Sequence, residues 1–116
     1  MPQALIIEGN MAIGCELSKR LADLGFDSLD HAFTEDEAVV MAERHPPDLV
    51  VVGDEVDEGD GVNAARRICE ARHAPVLLVS RDSRRVCEYL AAGAILEGPY
   101  AFSKLPEVAR AAQSQM

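Results

Sequence analysis

With 116 residues the chain has room for one domain and little more. Its 48% apolar and 27% charged residues describe a packed globular core and exclude a disordered or collagen-like chain. Its 11 Lys and Arg against 20 Asp and Glu leave a net charge of −9, which repels a phosphate backbone or an anionic membrane surface and argues against nucleic-acid or membrane binding.

In chain order, Ala4–Ile7 is a short, continuous apolar run, the pattern of a strand buried on both faces of a parallel sheet. No basic residue precedes it, so no secretory signal is expected. Ile13, Leu17, Leu21 and Leu24 recur at helical spacing, and Gly25 follows as a stop signal. Ser28–Phe33 suits a second, less buried strand. Thr34 with Glu37 is a capping box opening a helix whose inner face is Ala38, Met41 and Ala42. Pro46-Pro47 ends that helix, and Leu49–Val52 reads as the third strand. Ala65, Ile68, Cys69 and Arg72 mark a third helix, and Val76–Val79 a fourth strand. Val86 and Leu90 predict a fourth helix, closed by Gly93. Ala94–Leu96 is the fifth strand, and Leu105, Val108, Ala109 and Ala112 mark a fifth helix. The longest uncharged stretch, Tyr89–Leu96, is far below the roughly 20 apolar residues of a membrane span. Strand and helix alternating five times predict a single doubly wound α/β domain over residues 1–116. Cys15, Cys69 and Cys87 are odd in number and widely spaced, without a Cys-x-x-Cys or zinc pattern. Free, mostly buried thiols in a reducing cytoplasm are expected.

Ligands of open α/β sheets gather beyond the carboxyl ends of the strands. Those ends read Glu8-Gly9-Asn10, Gly53-Asp54-Glu55, Ser80-Arg81 and Glu97-Gly98-Pro99. The surrounding motifs, taken in order, resemble the receiver domain of bacterial two-component response regulators. Pro47-Asp48-Leu49-Val50-Val51-Val52 resembles that family's third strand, and Asp60-Gly61 the Asp-Gly opening its third helix. Ala74-Pro75-Val76-Leu77-Leu78-Val79-Ser80 resembles its fourth strand with a switch hydroxyl. Ala92-Gly93-Ala94 and Pro99-Tyr100 resemble its Ala-Gly-Ala and Lys-Pro-Phe/Tyr segments. The resemblance implies five parallel strands in the order 2-1-3-4-5 with helices on both faces, and a cis bond before Pro99.

It also implies a site chemistry that this sequence keeps only in part. The family holds magnesium with an acidic pair after the first strand and accepts a phosphoryl group on an Asp after the third. A Ser or Thr and a Lys bind the new anion, and an aromatic residue follows the switch. Here Glu8 takes the first acidic place and Gly9 the second. Counting from Pro47 and back from Gly61 both put Gly53 at the phosphoacceptor position. Ser80 keeps the hydroxyl, Gly98 stands for the Lys and Ile95 for the aromatic residue. A glycine has no carboxylate, so Gly53 accepts no phosphoryl group. Asp54 is the runner-up acceptor; successive strand residues face opposite ways, so only a bulge or slip would bring it in.

Other readings of the same residues are weaker. The acidic run 54–60 lacks the alternating ligands and closing Glu of an EF-hand, and reads as a solvated loop. No phosphate-binding glycine motif occurs. Ser80 lacks a well-placed base for hydrolase chemistry: His45 and His73 fall at the opposite edge, and His31 lies in the second strand, so all three read as surface or satisfied structural groups. Arg81, Arg84 and Arg85 read as a solvated face, Phe102 as core, and Tyr100 as a partner contact. The expectation is a non-enzymatic, phosphorylation-independent interaction module without a cofactor. Magnesium enters only if Asp54 is an acceptor. A histidine kinase, a phosphotransfer protein or an output domain is the implied partner, with a homodimer left open.

Overall fold

The structure, a computed structural model, describes residues 3–53, 56–71, 74–79, 86–91 and 94–114. At 86–91, 94–97, 99, 102 and 112–114 it describes the backbone alone. The elements are β1 (Gln3–Ile7), α1 (Met11–Ala22), β2 (Ser28–Ala32), α2 (Glu35–Arg44), β3 (Leu49–Val52), α3 (Gly61–Ala71), β4 (Val76–Val79), β5 (Val86–Ala91), β6 (Ala94–Tyr100), a 3-10 turn (Phe102–Lys104) and α4 (Leu105–Ser114). The sheet order is β2-β1-β3-β4-β6-β5.

Strand residues alternate between two cores because successive Cβ atoms point to opposite faces. Leu5, Ile7, Val50, Val52 and Val76 pack under Ala38 and Ala42 of α2 and Ala64, Ala65, Ile68 and Cys69 of α3. Ala4, Ile6, Leu49, Val51, Leu77 and Val79 pack on the other face with Leu17 and Leu21 of α1 and Leu105 and Ala109 of α4. Every one of these strand residues is at most 1% exposed, which is why β1, β3 and β4 read as unbroken apolar runs. The solvent-bearing edge strand β2 alone keeps an Asp and a His.

The helix boundaries follow their local signals. Asn10 caps α1, its side chain accepting from the Ile13 amide. Gly25, at φ +98°, closes the helix with the Phe26 amide donating back to the Leu21 carbonyl, a turn that a side chain at positive φ would strain. Thr34 caps α2 and accepts from the Glu37 amide at 3.1 Å. The reciprocal arm of the box reaches one residue further back, to the Phe33 amide.

One expectation is corrected. The five parallel strands lie in the anticipated order, β2-β1-β3-β4-β6, but the sheet is six-stranded and mixed. Residues 86–91, expected as a helix, form β5, antiparallel to β6 with Cys87 opposite Glu97 and Tyr89 opposite Ile95. Two apolar positions four apart are a thin helical signal. Val86, Cys87 and Tyr89 favour extended backbone, and six residues are too few to repay helix nucleation. Arg72 and Gly93, named with the third and fourth helices, lie outside the described residues.

β6 carries a second irregularity. Its register against β4 passes from Leu77 opposite Glu97 to Val79 opposite Tyr100, leaving Gly98 and Pro99 together against Leu78. A proline cannot donate to the ladder, and a bulge is one of the few places a sheet accepts it.

Candidate functional site

Ile7 of β1, Ala32 of β2, Val52 of β3 and Leu78 of β4 form one row across the sheet. The ladder runs on past that row: the Glu8 amide donates to the Ala32 carbonyl at 3.0 Å, and the Gly53 amide to the Ile7 carbonyl at 2.9 Å. Glu8 and Gly53 are therefore neighbours at the carboxyl rim, where the sequence places the acceptor and first acidic positions. Glu8 is fully buried, the one such charged side chain among the described residues.

The three glycines at this rim are enclosed rather than open. A Cβ on Gly53 would lie 2.6 Å from Glu8 Oε2 and 2.8 Å from its Cδ, so the Glu8 carboxylate occupies the space an acceptor side chain would need. A Cβ on Gly9 would lie 2.8 Å from Asp57 Oδ1 and 2.9 Å from the Asp57 backbone nitrogen; the loop after β3 has closed on that position. A Cβ on Gly98 would run into the Leu78 carbonyl, and its φ of +132° is backbone that L-residues rarely adopt. At Gly9, Gly53 and Gly98 a neighbouring part of the chain thus lies within the space a Cβ would need.

That donor set does not fit the magnesium ion this fold family implies. The ion takes six oxygens in octahedral array, several of them waters, and is held by one or two carboxylates and phosphate oxygens; of the positions the resemblance assigns to it, Gly9 and Gly53 supply no side-chain oxygen and Glu8 alone carries a carboxylate. Among the described residues no three His, Cys, Asp or Glu side chains form a metal-binding group. Asp54 and Ser80 lie outside the described residues, as do His73, Arg81, Arg84 and Arg85. Ile95 and Pro99 are described only as backbone of β6, Ile95 opposite Tyr89.

The loop over this rim is held by a cluster that sequence reasoning missed. Glu35, in the first turn of α2, accepts from Arg67 at 2.7 Å, from the Asn63 side chain at 2.8 Å and from the Asp60 amide at 3.0 Å. Its own amide donates to the Glu58 carbonyl, and the Asp57 amide donates to the Phe33 carbonyl. Asp60 in turn caps α3, its Oδ1 accepting from the Val62 and Asn63 amides. The bond from Arg67, then those from Asp60 and Asn63, hold the Glu35 carboxyl below the usual glutamate range, and the Arg67 guanidinium is correspondingly raised. Arg67 also reaches Asp36 at 3.1 Å. The acidic run is thus partly employed in fixing its own loop. Nothing in the sequence flags a partnership across some thirty residues; Thr34, marking the start of α2, and Asp60-Gly61, marking the start of α3, point only to the neighbourhood.

The two histidines among the described residues, His31 and His45, divide as anticipated. His31 is half-buried, its Nε2 donating to the Glu8 carbonyl at 2.8 Å and its ring 4.2 Å from that of Phe33. It also packs on Gly14 of α1, where a Cβ would collide with the imidazole. His45 is exposed and pairs with Asp30 at the opposite end of the strands. Tyr100, for which the sequence suggests a partner contact, is half-buried and packs against the α1/α4 core. Cys15 is exposed while Cys69 is buried, because Cys15 falls between the inward positions 14 and 17 of α1. Burial pushes the Cys69 thiol up in pKa.

The frame of this rim is five parallel strands in the order β2-β1-β3-β4-β6, covered by helices on both faces, with β5 antiparallel at one edge. No protein-family model matches the chain. The chain is 34% identical over 83 residues to the transcriptional regulatory protein PdtaR of Mycobacterium tuberculosis, a match covering 72% of this chain and 40% of PdtaR. Among solved structures, the response regulator PhyR from Brucella abortus is 26% identical, with a TM-score of 0.62, over 66% of this chain and 32% of PhyR. The N-terminal domain of a response regulator/sensory box/GGDEF protein from Carboxydothermus hydrogenoformans shares the fold at a TM-score of 0.75 and 22% identity, over 97% of this chain and 91% of that domain. The chain belongs to the receiver domains of bacterial two-component response regulators. It spans about two-fifths of PdtaR's length.

Proposed function

We propose that this chain is a non-enzymatic receiver domain that binds signalling proteins without being phosphorylated. The observation carrying the reading is the closure of the rim at Gly9, Gly53 and Gly98, each already filled by a neighbour. Phosphoryl transfer to a receiver needs a positioned carboxylate nucleophile and cations offsetting charge in the transition state. Gly53 offers no nucleophile, Gly98 no cation and Gly9 no metal ligand, so the domain needs no magnesium. What remains is a rigid scaffold whose exposed surface, Met11 of α1 and Val40 of α2 included, meets other proteins. Its partners are of the family's kind: a histidine kinase, a phosphotransfer protein or an output domain in the cytoplasm.

Incubation with acetyl phosphate and magnesium, followed by intact-mass spectrometry, tests this. The mass stays unchanged. A gain of one phosphoryl group that Asp54→Asn abolishes would replace this reading with an active receiver using Asp54. A gain that Asp54→Asn leaves in place would mean that the pocket lies elsewhere.

A further inference from the structure

The fully buried Glu8 has a role that the family's chemistry does not supply. The three heavy atoms nearest to a Cβ on Gly53 are Oε2, Cδ and Cβ of Glu8, at 2.6, 2.8 and 3.2 Å. The backbone itself does not demand glycine at 53, for it is not among the positive-φ glycines. The closest obstacles to a Cβ at position 53 therefore all belong to one side chain, that of Glu8. By strand alternation positions 8 and 53 point to the same face as Ile6 and Val51, so the carboxylate reaches sideways across the sheet into its neighbour's place.

We propose that Glu8 is a permanent, intramolecular stand-in for the acceptor side chain. It fills the acceptor's volume from the adjacent strand and so fixes the rim in one arrangement whatever phosphoryl donor is present. This rests on the reading of the domain as a non-phosphorylated module, and deepens it. Glu8 and Gly53 are then an exchanged pair: the larger residue on β1's end requires the smallest on β3's end. Glu8 also belongs to the wider rim through its backbone, which joins Ala32 of β2 and the His31 ring, so the stand-in is anchored on two strands.

A double-mutant cycle tests the pairing, because residues sharing one volume do not have additive effects. Overpacking by a methyl group is costly where neighbours cannot yield. Gly53→Ala in the native background should shift the urea unfolding equilibrium toward the unfolded state by about tenfold or more. In a Glu8→Ala background the same change should cost less than about threefold. Glu8→Gln, which keeps the volume, should leave Gly53→Ala as damaging as in the native chain. Equal losses in the native and Glu8→Ala backgrounds would overturn the proposal, as would a Gly53→Ala protein that folds in neither. If Glu8→Ala does not fold alone, Glu8→Ala/Gly53→Asp, which moves the carboxylate across the gap, must fold for the proposal to stand. These readouts are of stability, so they are independent of the labelling experiment. Phosphorylation of the native chain would overturn the functional reading, whereas an additive cycle would overturn only the role of Glu8.

Discussion

Two neighbouring parts of the same rim have been treated in opposite ways. At the cleft between β1, β3 and β6, side chains are missing and the gaps are closed by whatever lies nearest: Glu8 over Gly53, Asp57 over Gly9, the Leu78 carbonyl over Gly98. A few residues away, where α2 and α3 begin, polar groups have accumulated and are bonded to one another around Glu35. The cleft is the place where an active receiver would spend its charge on a metal and a phosphoryl group. The clasp is where this chain spends its charge on holding a loop. The comparison teaches that the described part of the loop after β3 is tied to the α2 side by hydrogen bonds that need no ligand: Asp60 to Glu35, Glu35 to Glu58 and Asp57 to Phe33.

The contrast breaks first where space is tightest. Gly98→Lys places a Cβ against a backbone carbonyl at φ +132°. Strain and overpacking together should cost about 3 kcal/mol or more, seen as a collapse of the urea midpoint or loss of soluble protein; a midpoint within error of the native chain would contradict the closed cleft. Gly9→Asp should cost about 2 kcal/mol, since Asp57 must move at its backbone and two carboxylates would meet. On the clasp side, Thr34→Ala removes the cap that starts α2 and should cost about 1 kcal/mol, measured by thermal unfolding.

The smallest effect is the pH response of the clasp. Glu35 titrates lower in the folded chain than in the unfolded one, so its contribution is complete above the ordinary glutamate range and is lost as pH falls below it. Amide exchange at Asp57 and Asp60, corrected for its intrinsic pH dependence, should therefore quicken below that range in the native chain. In Glu35→Gln it should already be quick at neutral pH and change little on acidification. An equal acid response in both proteins would place the loop's restraint elsewhere.

Much of this was legible in the residues. Unbroken runs such as Leu49–Val52 announce strands covered on both faces, and Gly25 and Thr34 mark helix ends by chemistry that acts within a few residues. The glycine at each key rim position is also a sequence fact. What fills the space it leaves is not, because Glu8 reaches Gly53 from another strand and the Leu78 carbonyl reaches Gly98 across the sheet. The same holds for Glu35 with Arg67. Residues 86–91 escaped for a different reason: two apolar residues four apart satisfy a helix, while strand pairing with β6 depends on where the following segment folds.

The central claim is that the cleft is closed to a phosphoryl group. The most direct measurement is a titration of the labelled protein with magnesium and beryllofluoride, an acyl-phosphate mimic, followed by the backbone amide signals of Glu8, Gly9, Gly53 and Gly98. The account predicts that these signals stay in place to millimolar concentrations of both reagents. Saturable shifts centred on Gly53 and its neighbours would contradict it.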